Sequence, residues 1–170
     1  MSIIIGGMWV TFVVLWESAG LPLPALFGAP ADVLLLIVFA WAYVRSPEEA
    51  IGVAIIGGFA ADLLSDHPLG ITVLALLPAT VIGSVRGARL LDTDWVSTML
   101  LGAAATLVYD VILLGLLRLS GDVSGLADAL VHEAPAAALL NALLAPLVYL
   151  VVIAGSRDVR AARRQIRTAG

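Results

Sequence analysis

The stretch from residue 57 to residue 70 places ionisable side chains inside an otherwise apolar sequence. Asp62 lies within the apolar run, and Asp66 follows four residues later, so both carboxylates share one face of a helix. A carboxylate at the centre of a membrane helix costs about 2.5–3.5 kcal/mol. Two interpretations of Asp62 stay open. In the first, the carboxylate is a hydrogen-bonding post, which fixes the turn through its hydrogen bonds, or contacts a partner protein. In the second, it is a helix-end carboxylate hydrated from outside.

Asp110 is the second carboxylate within an apolar run, directly after Tyr109. It could relay a proton or an ion, but a relay needs a second buried acid or base, and the sequence shows none. The sequence therefore favours a structural hydrogen bond to a neighbouring Thr, Tyr or Asn side chain, with Asn141 as a candidate.

Two His–carboxylate pairs, Asp66-His67 and His132-Glu133, could together bind a divalent metal. Such pairs are more often solvated turns, so we predict no metal site. His132-Glu133 begins like a zinc-protease motif, but position 136 lacks the second His. With no cysteine, no Gly-x-Ser-x-Gly elbow and no Walker loop, the sequence predicts a protein that is not an enzyme and carries no cofactor.

The composition indicates an integral membrane protein. Hydrophobic residues make up 61% of the 170 residues and charged residues only 13%, against about 25% charged in soluble domains. No basic patch with interleaved aromatic residues is present, so nucleic-acid binding is not predicted. The apolar N-terminus has no Arg or Lys before it, which favours a retained first helix over a cleaved signal peptide.

An all-α bundle of six transmembrane helices is predicted for residues 1–155. The expected helices cover residues 3–19, 32–45, 48–65, 69–83, 95–117 and 134–154. Asp32 is placed to cap the second helix and Ser46-Pro47 to begin the third, while Pro78 is expected to kink the fourth. The second helix is short, so it either begins in the Pro-rich segment before it or lies in a thinned region of bilayer.

The basic residues, all Arg, predict the orientation of this multi-pass chain. Six spans put both termini on one side of the membrane. If both termini are cytoplasmic, only Arg118 lies on the outer side. The Arg residues inside are then Arg45, Arg86, Arg89, Arg157, Arg160, Arg163, Arg164 and Arg167. The Arg-rich tail, residues 156–170, either binds anionic lipid or a cytoplasmic partner, or only anchors the topology.

Three short motifs, in order along the chain, resemble the MreD family of bacterial rod shape-determining membrane proteins. Pro30 to Leu36 resembles the family's Pro-Asp-Leu-Leu motif before its second helix, with Ala31 as one extra residue ahead of Asp32. The stretch 140–147, with Asn141 and Pro146, resembles its last helix. In the third-helix stretch the resemblance lies in Gly58, Asp62, Ser65, Pro68 and Gly70.

The resemblance implies a non-catalytic component of the cell-elongation machinery in the bacterial inner membrane. Proteins of this family work with MreC, a membrane-anchored periplasmic protein, and link MreB filaments to the RodA glycosyltransferase and its transpeptidase partner. The implied mechanism is helix packing among membrane lipids. Small residues such as Gly57, Gly58 and Gly102 would permit close packing within the chain, against a partner, or in a homodimer.

The family fold is similar to the substrate-binding membrane subunit of energy-coupling-factor vitamin transporters. This similarity supplies the alternative function, which is uptake of a small molecule. Such a subunit needs polar or aromatic groups that converge on a cavity. Here only Asp62, Asp110 and Asn141 interrupt the predicted membrane helices, which favours the elongation role.

Overall fold

The computed structural model describes residues 2–18, 25–26, 29–65, 68–87, 95–121 and 129–168, with side chains at 6–16, 31–65, 68–85, 95–121 and 130–154. A two-stranded antiparallel ladder, β1 (Ala25–Leu26) and β2 (Ala29–Pro30), precedes the second helix, and a π-helical turn (Ala129–Glu133) leads into the last. The predicted all-α fold is otherwise confirmed. The long helices of the described part are α1 (Ser2–Ser18), α2 (Val33–Val44), α3 (Pro47–Leu64), α4 (Ile71–Gly87), α5 (Trp95–Leu119) and α6 (Ala134–Thr168).

Both predicted helix caps are confirmed. Asp32 Oδ1 accepts a hydrogen bond from the Leu35 amide at 2.8 Å, and Ser46 Oγ accepts one from the Glu49 amide at 3.4 Å. Each cap satisfies an amide that the first turn of a helix leaves unpaired. These local bonds explain why α2 and α3 begin where the sequence predicts.

The α2 helix forms the centre of the bundle. Ten of its twelve residues, Leu34 to Tyr43, are buried, and α2 contacts each of the other five long helices. A helix that is apolar all round is typical of a core position. At about 1.5 Å per residue, α2 spans about 18 Å, well short of a hydrocarbon layer of about 30 Å.

The β1–β2 ladder explains how so short a helix fits the bundle. Both strands pack against α6, and they pair Ala25 with Pro30 and Leu26 with Ala29. Non-helical backbone is tolerated at membrane depth where protein covers it and its polar groups are paired. Of the two explanations predicted for a short second helix, a start within the Pro-rich segment is wrong, because α2 begins at Val33 and residues 29–30 before it belong to the ladder. A thinned region of bilayer stays a prediction.

The surface of the outer helices is strongly apolar. Soluble monomers rarely expose contiguous apolar patches larger than a few hundred Å², whereas every long helix except α2 exposes at least two large apolar side chains. The stretches Trp95–Leu119 and Leu130–Ala154 are long and apolar enough to cross a membrane. Shorter apolar stretches lie at Gly6–Trp16, Val33–Val44 and Ile71–Val85, so helix length alone does not establish six spans.

Helix boundaries differ from the prediction mainly at two C-termini. The fourth helix runs on to Gly87 and the sixth to Thr168, so its backbone stays helical past the predicted tail boundary at residue 155. Pro78 and Pro146 both lie inside these helices. The predicted polar connector with Arg89, Asp92 and Asp94 lies outside the described residues.

Candidate functional site

The residues singled out in the sequence fall into two separate polar groups. We call the first the α3–α4 turn; it contains Gly58, Asp62, Ser65, Pro68 and Gly70. The second, which we call the Asn141 cluster, contains Asp32, Thr106, Tyr109 and Asn141.

Asp62 connects the end of α3 to the start of α4. Its side chain is buried, with an exposed fraction of 2%. Oδ2 accepts a hydrogen bond from the Gly70 amide at 2.6 Å, and Oδ1 accepts one from the Thr72 amide at 3.1 Å. Because α4 begins at Ile71, Asp62 caps that helix from the preceding one, and its negative charge complements the helix dipole.

This geometry is that of the hydrogen-bonding post, and the carboxylate is not a hydrated helix end. Thr72 was not singled out in the sequence. Its contribution is a backbone amide, which every residue except proline carries, so the residue type supplied no signal.

The rest of the turn is held by short-range backbone geometry. Gly70 adopts a φ of +94°, a conformation that favours glycine. The Gly70 carbonyl accepts a hydrogen bond from the Leu74 amide at 3.0 Å, and the Pro68 carbonyl accepts one from the Ile71 amide at 3.4 Å. Ser65 Oγ donates to the carbonyl of Ala61 at 2.8 Å, within its own helix.

Gly58 brings the backbones of α3 and α4 into contact. A Cβ atom at this position would lie 2.8 Å from both the backbone N and the Cα of Val73. Only glycine permits this approach. Since Asp62 follows Gly58 by about one turn of α3, the close approach is what puts the carboxylate within reach of the α4 amides.

Asn141 joins three helices at the second group. It is fully buried; its Oδ1 accepts a hydrogen bond from the Asp32 amide at 3.2 Å, and its Nδ2 donates to Thr106 Oγ1 at 3.2 Å. Thr106 Oγ1 donates in turn to the Gly102 carbonyl at 3.0 Å. The Tyr109 side chain is hydrogen-bonded to the Asp32 carboxylate. The cluster therefore ties the start of α2 to α5 and α6.

Asp110 was predicted to bond to a neighbouring Thr, Tyr or Asn side chain, with Asn141 as a candidate, and the bond to Asn141 is not formed. Asp32 and Thr106 already engage both amide atoms of Asn141. Asp110 Oδ2 is buried and has no hydrogen-bond partner in the described part of the chain. Asp110 is thus adjacent to the cluster in sequence but is not bonded into it.

Close helix contacts at the other small residues lie within the chain. A Cβ atom on Gly102 would lie 2.8 Å from the Ala145 Cβ, where α5 packs on α6 next to Pro146. A Cβ atom on Gly57 would overlap Val10 Cγ1, where α3 packs on α1. The sequence left open whether the small residues pack within the chain, against a partner or in a homodimer. Gly57 and Gly102 pack within the chain.

The chemistry of both groups is structural. Their carboxylate, amide and hydroxyl atoms bond mainly to backbone groups at helix ends. Within the described ranges, no three His, Asp or Glu side chains lie close enough together to hold a metal ion. Asp66 and His67, half of the metal set considered from the sequence, lie outside those ranges.

A family model described as rod shape-determining protein MreD matches residues 2–156 of the chain. The matched segment contains both polar groups and the long helices α1 to α5, and it ends within α6. No curated protein and no solved structure matches the chain.

Proposed function

This chain belongs to the MreD family of rod shape-determining proteins, and on that premise we propose that it is a non-catalytic membrane component of the bacterial cell-elongation complex. It binds MreC directly, and through MreC it helps couple MreB filaments to peptidoglycan synthesis by RodA and its transpeptidase partner. The observation that carries the proposal is the family match, which extends over residues 2–156.

The two polar groups support a scaffold role over an uptake role. A substrate-binding transporter subunit presents unpaired polar groups to a cavity. In the described residues, Asp62 is instead hydrogen-bonded to the amides of Gly70 and Thr72. Asn141 is hydrogen-bonded to the Asp32 amide and the Thr106 hydroxyl. A helix bundle held rigid in this way is suited to presenting fixed outer faces to partner helices.

Capture of MreC tests the proposal. We expect the tagged chain, extracted from membranes of its own organism in mild detergent, to retain MreC, and we expect its depletion to turn rod-shaped cells round. An unrelated multi-pass protein with the same tag serves as the control. Unchanged rods after depletion, together with no retained MreC, would contradict the proposal.

The proposed topology has six spans and both termini in the cytoplasm. Because the chain contains no cysteine, single cysteines can be introduced without background. A cysteine replacing Ser124 is expected to react with a membrane-impermeant maleimide in intact cells or spheroplasts. A cysteine replacing Ser156 should react only after the membrane is opened, and labelling of both from one side would exclude the six-span arrangement.

A further inference from the structure

We propose that the C-terminal end of α2 binds the phosphate of an anionic phospholipid through Arg45 and Trp41. Arg45 caps α2, and its amide donates to the Trp41 carbonyl at 2.8 Å. Its guanidinium carbon lies 5.8 Å from the centroid of the Trp41 ring, within the range of a cation–π contact. The charge is therefore held in a defined place at the end of the central helix.

Two hydrogen-bond donors at this place lack an acceptor. Trp41 is buried, with an exposed fraction of 6%, and neither its Nε1 nor the buried Arg45 Nε has a partner among the described residues. No described carboxylate forms an ion pair with Arg45. Since buried donors are almost always paired in folded proteins, one unpaired donor in the cation itself and a second on the ring beside it indicate an acceptor with negative charge from outside the chain.

Glu49, four residues after Arg45, lies in the first turn of α3. Its Oε2 is also buried without a partner. The competing explanation is that Glu49 serves as an internal counter-ion for Arg45 in the membrane. The experiment below separates this pair from a bound phosphate.

The position of Arg45 along the membrane normal favours a lipid as the source of the phosphate. The apolar helix Val33–Val44 ends directly before it, and the exposed Ser46, Pro47 and Glu48 follow. Arg45 thus lies where the chain passes from the buried apolar residues of α2 to the exposed start of α3, and we place this step at the depth of lipid head groups. The proposed topology places this end at the cytoplasmic face.

Neighbouring side chains are consistent with that depth. Tyr43, in the last turn of α2, shares a hydrogen bond of 2.7 Å with Thr98 in the first turn of α5. The first residue of α5, Trp95, is 59% exposed, as expected of an aromatic side chain at the membrane interface. Ile51, one turn into α3, is exposed too and can contact acyl chains beside the site.

The test measures lipid binding by the purified full chain in detergent, using native mass spectrometry and thermal unfolding with added phosphatidylglycerol. We expect Arg45→Gln to lower the affinity for phosphatidylglycerol about fivefold, equivalent to about 1 kcal/mol for one basic residue at an anionic surface. Arg118→Gln is the matched control. Arg118 is exposed at the last turn of α5, so we expect its substitution to leave the affinity for phosphatidylglycerol unchanged. Trp41→Phe, which removes only the indole N–H, should give a smaller loss.

Further arms identify the ligand and the competing pair. Phosphatidylcholine should bind more weakly than phosphatidylglycerol, and inorganic phosphate should not displace the lipid. Displacement by inorganic phosphate would mean a site for soluble phosphate and would overturn the lipid assignment. Equal lipid affinity of Arg45→Gln and the parent would also overturn the lipid assignment. If, without lipid, Arg45→Gln and Glu49→Gln lose the same amount of thermal stability, the two residues form an internal ion pair, and the lipid assignment is again overturned.

If Arg45→Gln does not fold, Arg45→Lys replaces it. Lysine keeps the charge but lacks the planar fork that binds phosphate through two donors and stacks on the indole ring. We expect Arg45→Lys to bind phosphatidylglycerol more weakly than the parent, and parental affinity would contradict the site. None of these measurements involves MreC, so their failure is distinct from failure of the proposed function.

Discussion

Asp62→Leu is expected to cost about 2–6 kcal/mol of stability, because it leaves two buried amides without an acceptor at about 1–3 kcal/mol each. The two amides are those of Gly70 and Thr72, which both oxygens of Asp62 now engage. A loss of this size is a large fraction of the free energy of unfolding of a domain, which is about 5–15 kcal/mol. We therefore expect little folded Asp62→Leu protein in the membrane.

The Asp62→Asn variant should lie between the parent and Asp62→Leu. Asparagine offers one carbonyl oxygen, so it can accept from one of the two amides, and its NH₂ group then faces the other amide as a second donor. Thermal unfolding in detergent measures the order of the three proteins. Capture of MreC by each variant shows whether binding follows stability or depends separately on the charge.

Ser65→Ala is the control in the same turn. The Ser65 hydroxyl is exposed, and among the described residues it bonds only to the Ala61 carbonyl of its own helix, so its loss should change stability by less than about 0.5 kcal/mol. If Asp62→Leu melted and captured MreC like the parent, Asp62 would not be the post that holds the start of α4.

Gly58→Ala should have the second-largest effect, about 1–3 kcal/mol, because the added methyl group overpacks a backbone contact. Its Cβ would lie 2.8 Å from the backbone N and Cα of Val73, which cannot rotate away as a side-chain end could. The start of α4 must move instead. That movement pulls the Thr72 amide away from Asp62.

Gly115→Ala is the matched control for Gly58→Ala. Gly115 lies inside α5 with nothing within 4 Å of an added Cβ, and the change in the unfolded chain is the same. Because alanine favours a helix by about 1 kcal/mol over glycine, Gly115→Ala should be neutral or stabilising. Equal melting temperatures for the two variants would show that the close approach at Gly58 is not needed.

The coupling between the two positions can also be measured. If Gly58 acts by bringing Asp62 to the α4 amides, the double variant Gly58→Ala/Asp62→Asn should be less destabilised than the sum of the single variants. Additive losses would mean that the two residues stabilise the turn independently.

Local chemistry explains which features could be predicted from the sequence. The caps at Asp32 and Ser46 involve an acceptor and an amide three residues apart, so a short motif contains the whole interaction. The turn after α3 is similar, since Asp62 and its two amide donors lie within ten residues of one another. The apolar composition likewise predicts an apolar outer surface without knowledge of the packing.

Only the tertiary structure could show which helix is central and what Asn141 binds. In a membrane protein, lipid-facing and buried helices are equally apolar, so hydrophobicity does not identify α2 as the core. The partners of Asn141 lie 35 and 109 residues away, and the rotation of α5 determines that Thr106 meets Asn141 while Asp110 does not. Such contacts depend on how the helices are placed against one another, and no short motif encodes that placement.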